Sequence, residues 1–494
     1  MKLKRILALV LSMVFTLFIV SACASDTPDG NTPDGGTPPP ENGGGVGDGG
    51  GLEYGEDGEP PVFVPPNYVL PDKEADVIRF KDGKRHIIIA AAFDRFYDST
   101  HTSIAANPNV ADPETAQMVL DRVRYVEEKY DVFIEFVNMT WEGIGENIPI
   151  SIMSGIPDAD VYLVDTQMSI PAVLNGMAVA LEDIGLEGHD VLQTGGNIVM
   201  ESLRIPGHEK TYLFRDAGVN QIMYMMGYNK DMIDAHGLTD PQELWERGEW
   251  TWDTFREYCR VLTDPTQDIF GWSGYWTNFL TGLLFSNNAA FAAGPVQTVD
   301  SPETLEVLNF ISDLYNVDRT ARPWNADGGW EINNNLFAEG KSGFWISASW
   351  LNNEQAAGVT FEFGMVPFPV GPRGNKDTMA TENAEGNFYF IPRYIQDPRF
   401  VFDVLYDLTN WFDYDLEYRD DLTWLKNSLV TEANFDMYMS IVGRPGFDLL
   451  HNLPLSPSVD MMLNSISGPP TYTPAQYVET FKQVFQDALD NYFG

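Results

Sequence analysis

Asp94 and Asp165 each follow a short apolar run, Arg85 to Ala92 before one and Asp160 to Val164 before the other. Loops beyond the carboxyl ends of parallel strands are where such sheets hold ligands. Two carboxylates there can pair with a polar ligand, or they can cap helix N-termini or stay solvated. Trp272 and Trp276 flank Ser273-Gly274-Tyr275, which reads as a loop able to turn indole faces toward the same ligand. Apolar walls with a few directed polar groups are the usual make-up of a small-molecule site. Each aromatic contact adds roughly 0.5–1.5 kcal/mol beyond burial. With 12 tryptophans and 13% aromatic residues, the chain can supply such walls.

Other chemistries fail on spacing. His86, His101, His189, His208, His236 and His451 form no metal pair on a helix and no Cys/His cluster, so neither a metal nor a cofactor is expected. Gly340-Lys341-Ser342 has the tail of a phosphate loop, but Asn335 stands where its first glycine belongs. Gly271-Trp272-Ser273-Gly274 is no nucleophile elbow. Asp413, Asp415 and Glu417 do not follow the calcium-loop pattern and read as a solvated face. A formal net charge of −42 argues against nucleic acid and against docking on anionic lipid. It suits solubility at a crowded surface.

The elements that must position these residues alternate. Arg85 to Ala92, Val132 to Val137 and Asp160 to Val164 read as buried strands. Between the first two, Asp112-Pro113 reads as a helix start, with Val119, Val123, Val126 and Tyr130 at helical spacing. Strands separated by helices predict a parallel sheet. Gln221 to Tyr228, Phe344 to Ile346, Phe361 to Phe368 and Phe388 to Ile391 read as later strands. Helices are predicted after Thr251, over Pro302 to Tyr315, and from Pro474 to the end. This order predicts an α/β fold of two lobes, each built from discontinuous segments.

At the N-terminus, Lys2, Lys4 and Arg5 precede a run from Ile6 to Val20 broken only by Ser12 and Thr16. A basic start, a short apolar core and small residues describe an export signal. Val20-Ser21-Ala22-Cys23 resembles the bacterial lipobox, which implies an acylated Cys23. Residues 24–72 contain no Lys or Arg and are rich in Gly, Pro, Asp and Glu. Such a composition cannot bury enough apolar surface to order itself and makes a flexible spacer. The only other cysteine is Cys259, so a lipidated Cys23 excludes an internal disulfide.

Several motifs share one order. Pro157-Asp158, Asp160-Val161-Tyr162, Gly176-Met177 and Leu181-Glu182 come first. Tyr228-Asn229-Lys230-Asp231, Gly237-Leu238, Pro241 and Thr251-Trp252-Asp253-Thr254-Phe255 follow. Phe337-Ala338-Glu339-Gly340-Lys341-Ser342-Gly343-Phe344 leads to Trp350, and Phe363-Gly364-Met365-Val366-Pro367 ends in the turn to Pro372. Over roughly residues 85–490 the chain resembles the extracellular solute-binding proteins of carbohydrate ABC importers. The resemblance implies a two-lobed, periplasmic-binding-protein-like (type II) fold with a hinge and an interlobe cleft. It implies lobe 1 from residues 79–218 and 378–435, and lobe 2 from 219–377 and 436–494, after a signal peptide at 1–23 and a tether at 24–78. It places a stacking tryptophan at Trp350 and polar ligand contacts at Asp94 and Asp165, while Glu382, Asn383 and Asn387 lie near the second lobe crossing. The glycine pair that often precedes that tryptophan is replaced by Ala348-Ser349, and the loop from Asp94 to Pro113 is longer than in many relatives.

The resemblance thus implies as partners a small polar ligand, a carbohydrate, with the ABC permease subunits, and the membrane through a lipid anchor. The expected protein is a monomer, held on the extracellular face of the cytoplasmic membrane, and not an enzyme. A secreted glycan-active hydrolase would use the same tryptophans with two carboxylates at a set separation, but no acid motif is recognisable. A ligand-sensing surface lipoprotein would share the cleft and differ in its docking partner.

Overall fold

The computed structural model describes residues 68–93, 113–193, 209–215, 224–274, 276–323, 335–348, 359–383, 386–410, 412, 429, 431–448, 466 and 472–493. Cys23, most of the tether, Asp94, the loop up to residue 112, and Trp350 lie outside them.

The chain order begins β1 (Phe80–Lys81), β2 (Lys84–Ala91), α1 (Pro113–Tyr130), β3 (Val132–Asn138), α2 (Trp141–Met153), β4 (Val161–Asp165) and α3 (Thr166–Leu174). Then come β5 (Tyr224–Asn229), α4 (Lys230–Ala235), α5 (Pro241–Arg247), α6 (Trp252–Leu262), β6 (Phe270–Gly274) and α7 (Trp276–Ser286). The hairpin β7 (Ala292–Ala293) and β8 (Val296–Gln297) leads to α8 (Pro302–Asn316), β9 (Ser342–Ala348) and β10 (Phe363–Val366). The rest is β11 (Glu382–Asn383), β12 (Asn387–Phe390), α9 (Pro398–Thr409), α10 (Glu432–Ile441), β13 (Pro445–Gly446) and α11 (Pro474–Phe493).

In the first sheet, β2 lies between the parallel strands β3 and β4, and β12 runs antiparallel along the outer side of β4. Both faces of β2 are apolar because both are covered. Ile87, Ile89 and Ala91 meet Val123 and Val126 of α1 and Val401 and Leu405 of α9. Ala90 joins Tyr162 and Val164 of β4 with Ile144 and Ile148 of α2 and Ile170 of α3. A buried ion cluster fastens α1 to α9: Arg122 Nε donates to the Asp407 carbonyl at 2.8 Å, its guanidinium also pairs with the Asp407 carboxylate, and Lys129 Nζ meets Asp407 Oδ2 at 2.6 Å.

The second sheet has the order β10-β5-β9-β6, with β6 parallel to β9 and the other pairs antiparallel. Its core is aromatic. The Phe344 ring stands 5.2 Å from Phe255, 5.5 Å from Trp250 and 6.3 Å from Tyr228. Trp252 stacks on Phe310 at 4.5 Å and donates Nε1 to Ser286 Oγ at 3.1 Å. Asn229 caps α4 by accepting the Met232 amide at 3.0 Å, and Asp240 caps α5 while accepting the Tyr228 hydroxyl at 2.6 Å. Tyr228, Trp252 and Phe255 are thus core residues.

Three connections join the sheets. The first leaves at Arg215 and enters at Tyr224. Its outgoing end pairs with β12, with Phe214 and Tyr389 exchanging backbone hydrogen bonds of 3.1 and 2.6 Å. The second runs from β11, which pairs with β13, to Asn387 at the head of β12. The third lies between Phe412 and Leu429. Asn434 of α10 accepts the Met365 amide at 2.8 Å and donates to the Phe363 carbonyl at 3.3 Å, so α10 packs on the second sheet. A lobe boundary at 435/436 would cut this helix, and one at 378 would separate Thr381 from its bonds to Arg444 and Ile441. β11 therefore stays with β13, and α10 with the second sheet.

Candidate ligand-binding site

The parallel strands of each sheet end at the crossings. The segment through Phe214 runs antiparallel to β12, hence parallel to β4, and leaves the first sheet at the carboxyl end of β4. It enters the second sheet at Tyr224, which pairs with Ala348 at the carboxyl end of β9. Gly274, at the carboxyl end of β6, pairs with Ile346 next door. Both sheets thus turn the strand ends that favour ligands toward the connecting segments.

On the first sheet this end carries Asp165 and Asn387, which are direct register partners. Asp165 closes β4 in extended conformation and caps α3, its Oδ1 accepting the Gln167 amide at 2.8 Å and the Thr166 hydroxyl at 3.3 Å. Ala91 pairs with Leu163, so β2 ends at the same edge, and Phe93 is the last described residue after it. Glu382 and Asn383 form β11, shortly before Asn387 at the head of β12. On the second sheet, Trp276 is the first residue of α7, two positions beyond Gly274. Trp350 follows Ala348 by two positions in the sequence and lies outside the described residues.

Trp272 departs from expectation. Residues 270–274 are a strand, not the start of a loop, and Trp272 is 1% exposed. Its ring lies 4.4 Å from Phe279 and 5.3 Å from Tyr315, so it is a core residue and offers no open face. The glycines that suggested a loop serve close approach instead. A Cβ on Gly271 would stand 2.4 Å from the Cys259 carbonyl of α6, and Gly274 has φ 113° with a would-be Cβ 2.7 Å from the Ile346 carbonyl.

Sequence reasoning passes over Arg215 and Ser273 and reads Trp345 as core. Arg215, the last described residue before the first crossing, holds its guanidinium 5.6 Å from the Phe388 ring centre, beside Asn387. Ser273 and Trp345 are 3% exposed, and neither Ser273 Oγ nor Trp345 Nε1 has a hydrogen-bond partner. No sequence signal distinguishes them from ordinary strand residues. Among the described residues no group of three or more potential ligands could hold a metal, and no helix is long and apolar enough to cross a membrane.

Two α/β sheets, each split in sequence and joined by three crossings, make the two-lobed architecture of periplasmic-type binding proteins. The family described as bacterial extracellular solute-binding protein matches residues 107–403, more than half of the chain, and the protein belongs to that family. Among solved structures, the chain is similar to an ABC substrate-binding protein of Listeria monocytogenes in complex with cycloalternan: TM-score 0.60, 14% identity, covering 82% of this chain and 99% of that one. It is similar to the maltose/maltodextrin-binding domain of Bdellovibrio bacteriovorus bound to maltotriose, with TM-score 0.55, 15% identity and coverage of 82% and 100%. A cyclic α-maltosyl-1,6-maltose binding protein of Arthrobacter globiformis gives TM-score 0.59, 17% identity and coverage of 83% and 100%. No curated protein matches the sequence.

Proposed function

We propose that this protein is the substrate-binding subunit of an ABC importer, that it takes up a carbohydrate at the crossings between its lobes, and that it delivers it to the permease. The observation that carries this reading is the meeting of the carboxyl strand ends of both sheets at the same connecting segments, with Asp165 and Asn387 on one side and Trp276 on the other. Carboxylate and amide groups pair hydroxyls in fixed directions, and indole faces cover the apolar face of a sugar ring. Asp94, Trp350, Glu382 and Asn383 join the site by their positions in the chain. Two of the similar structures named above are in complex with cycloalternan and with maltotriose, which supports the ligand class. The lipid anchor follows from the Val20–Cys23 sequence, and the acidic spacer after it gives the body reach from the membrane.

Thermal unfolding with cycloalternan, maltotriose and D-tagatose tests the ligand class, with peptides and glycerophosphocholine as the contrast. A saccharide should raise the melting temperature and be recovered unchanged. A response to peptide or glycerophosphocholine alone would sink the carbohydrate reading, and cleavage of the saccharide would make the protein a hydrolase. Cys23→Ala should move the protein from the membrane fraction to the medium if the cysteine is acylated.

A further inference from the structure

Ser273 of β6 and Trp345 of β9 are register partners, and paired positions on neighbouring strands project to the same face of a sheet. One position further on, Gly274 at the carboxyl end of β6 pairs with Ile346, two residues short of Ala348, where the first crossing enters. Both side chains are more than nine-tenths buried, and the Ser273 hydroxyl and the Trp345 indole N–H have no partner. Native interiors seldom leave such groups unpaired. The indole cannot turn to find one. It stacks on Phe337 at 5.5 Å and 17°, and it lies over Gly227, where a Cβ would stand 3.4 Å from its Cε3. The N–H direction is therefore fixed by packing.

We infer that Ser273 and Trp345 form part of the floor of the ligand site and that each hydrogen-bonds a hydroxyl of the bound saccharide. This rests on the carbohydrate reading above. A sugar hydroxyl both donates and accepts, so it suits an indole, which only donates, and a serine, which does either. Trp272 Nε1 is also without a partner, but it lies on the opposite face between Phe279 and Tyr315, away from this pair.

Trp345→Phe keeps a ring over Phe337 and removes the N–H, and Ser273→Ala removes only the hydroxyl. In calorimetric titration with cycloalternan, maltotriose and D-tagatose, each variant should bind about three- to tenfold more weakly than wild type to the saccharide wild type binds. Its ligand-free melting temperature should hold or rise, because a buried unpaired polar group has gone. Wild-type affinity in either variant overturns the assignment for that residue, and a lowered melting temperature at equal affinity marks a protein partner instead. If wild type binds no saccharide, the carbohydrate reading fails by itself. A crystal structure of the ligand-free protein then decides the inference: solvent at Trp345 Nε1 supports a floor open to ligand, and a protein acceptor there overturns it.

Discussion

Asp165 holds the Gln167 amide through Oδ1, so a substitution there touches both a helix end and the proposed site. Asparagine caps about as well as aspartate, whereas alanine forfeits about 1 kcal/mol. We expect Asp165→Asn to melt close to wild type and Asp165→Ala to melt lower, with saccharide affinity reduced in both. Calorimetry beside thermal unfolding separates the two effects, and unchanged affinity in Asp165→Asn would remove the carboxylate from the site. Asp160, at the other end of the same chain segment, is fully buried with Oδ1 unpartnered, and Oδ2 meets Arg79 at 3.1 Å and the Ile88 amide at 3.0 Å. Burial pushes its carboxyl above the ordinary 3.8, against the pull of Arg79, the Ile88 amide and Arg85. The folded state then holds this proton more tightly than the unfolded chain. The contribution of Asp160 is therefore most favourable below the unfolded value and declines as pH rises through the folded one. Urea midpoints measured from pH 4 upward should show this decline in wild type, and Asp160→Asn should lack it. Asp165 was readable from the sequence because an apolar run followed by aspartate fixes both a strand end and a helix start. Trp272 was not, since its burial is decided by Phe279 and by Tyr315 of α8, which sequence neighbours do not reveal.

α1 and α9 are 267 residues apart at their closest ends and are joined through one aspartate. Asp407 is 3% exposed and Arg122 7%, so removing the carboxylate breaks a buried ion pair. A loss of that kind costs about 3–5 kcal/mol. Asp407→Ala should lower the denaturant midpoint accordingly while saccharide affinity stays the same, since neither helix carries a site candidate. A coupled loss of affinity would mean that the clamp also sets the strand ends. Most strands and the capped helices after Thr251 and Ser301 were legible, because alternation, apolar runs and short polar caps are local signals. α2, α3 and α7 were not. Pro149 and Pro171 sit inside the first two, and α7 is apolar around most of its surface, which erases the one-sided period that marks a surface helix.

The two-lobed plan was legible as an order of motifs. Pairing of β11 with β13 and the grip of Asn434 on β10 join residues far apart in sequence, and local composition carries no trace of them. Chains joined at a few crossing segments close by bending there. If ligand closes the lobes, small-angle scattering should give a smaller radius of gyration with saccharide than without. An unchanged radius with proven binding would mean that the site is filled without lobe closure.

The aromatic core of the second sheet has an optical consequence. Trp245, Trp250, Trp252, Trp272 and Trp345 are all buried in its layers, while Trp141 of α2, the tryptophan described on the first sheet's layers, is 46% exposed. Indoles shielded from water emit at shorter wavelengths than wet ones. Among the described residues, the blue side of the emission band therefore belongs to one half of the molecule and the red side to the other. During unfolding, the loss of blue intensity dates the opening of the second lobe, independently of any label.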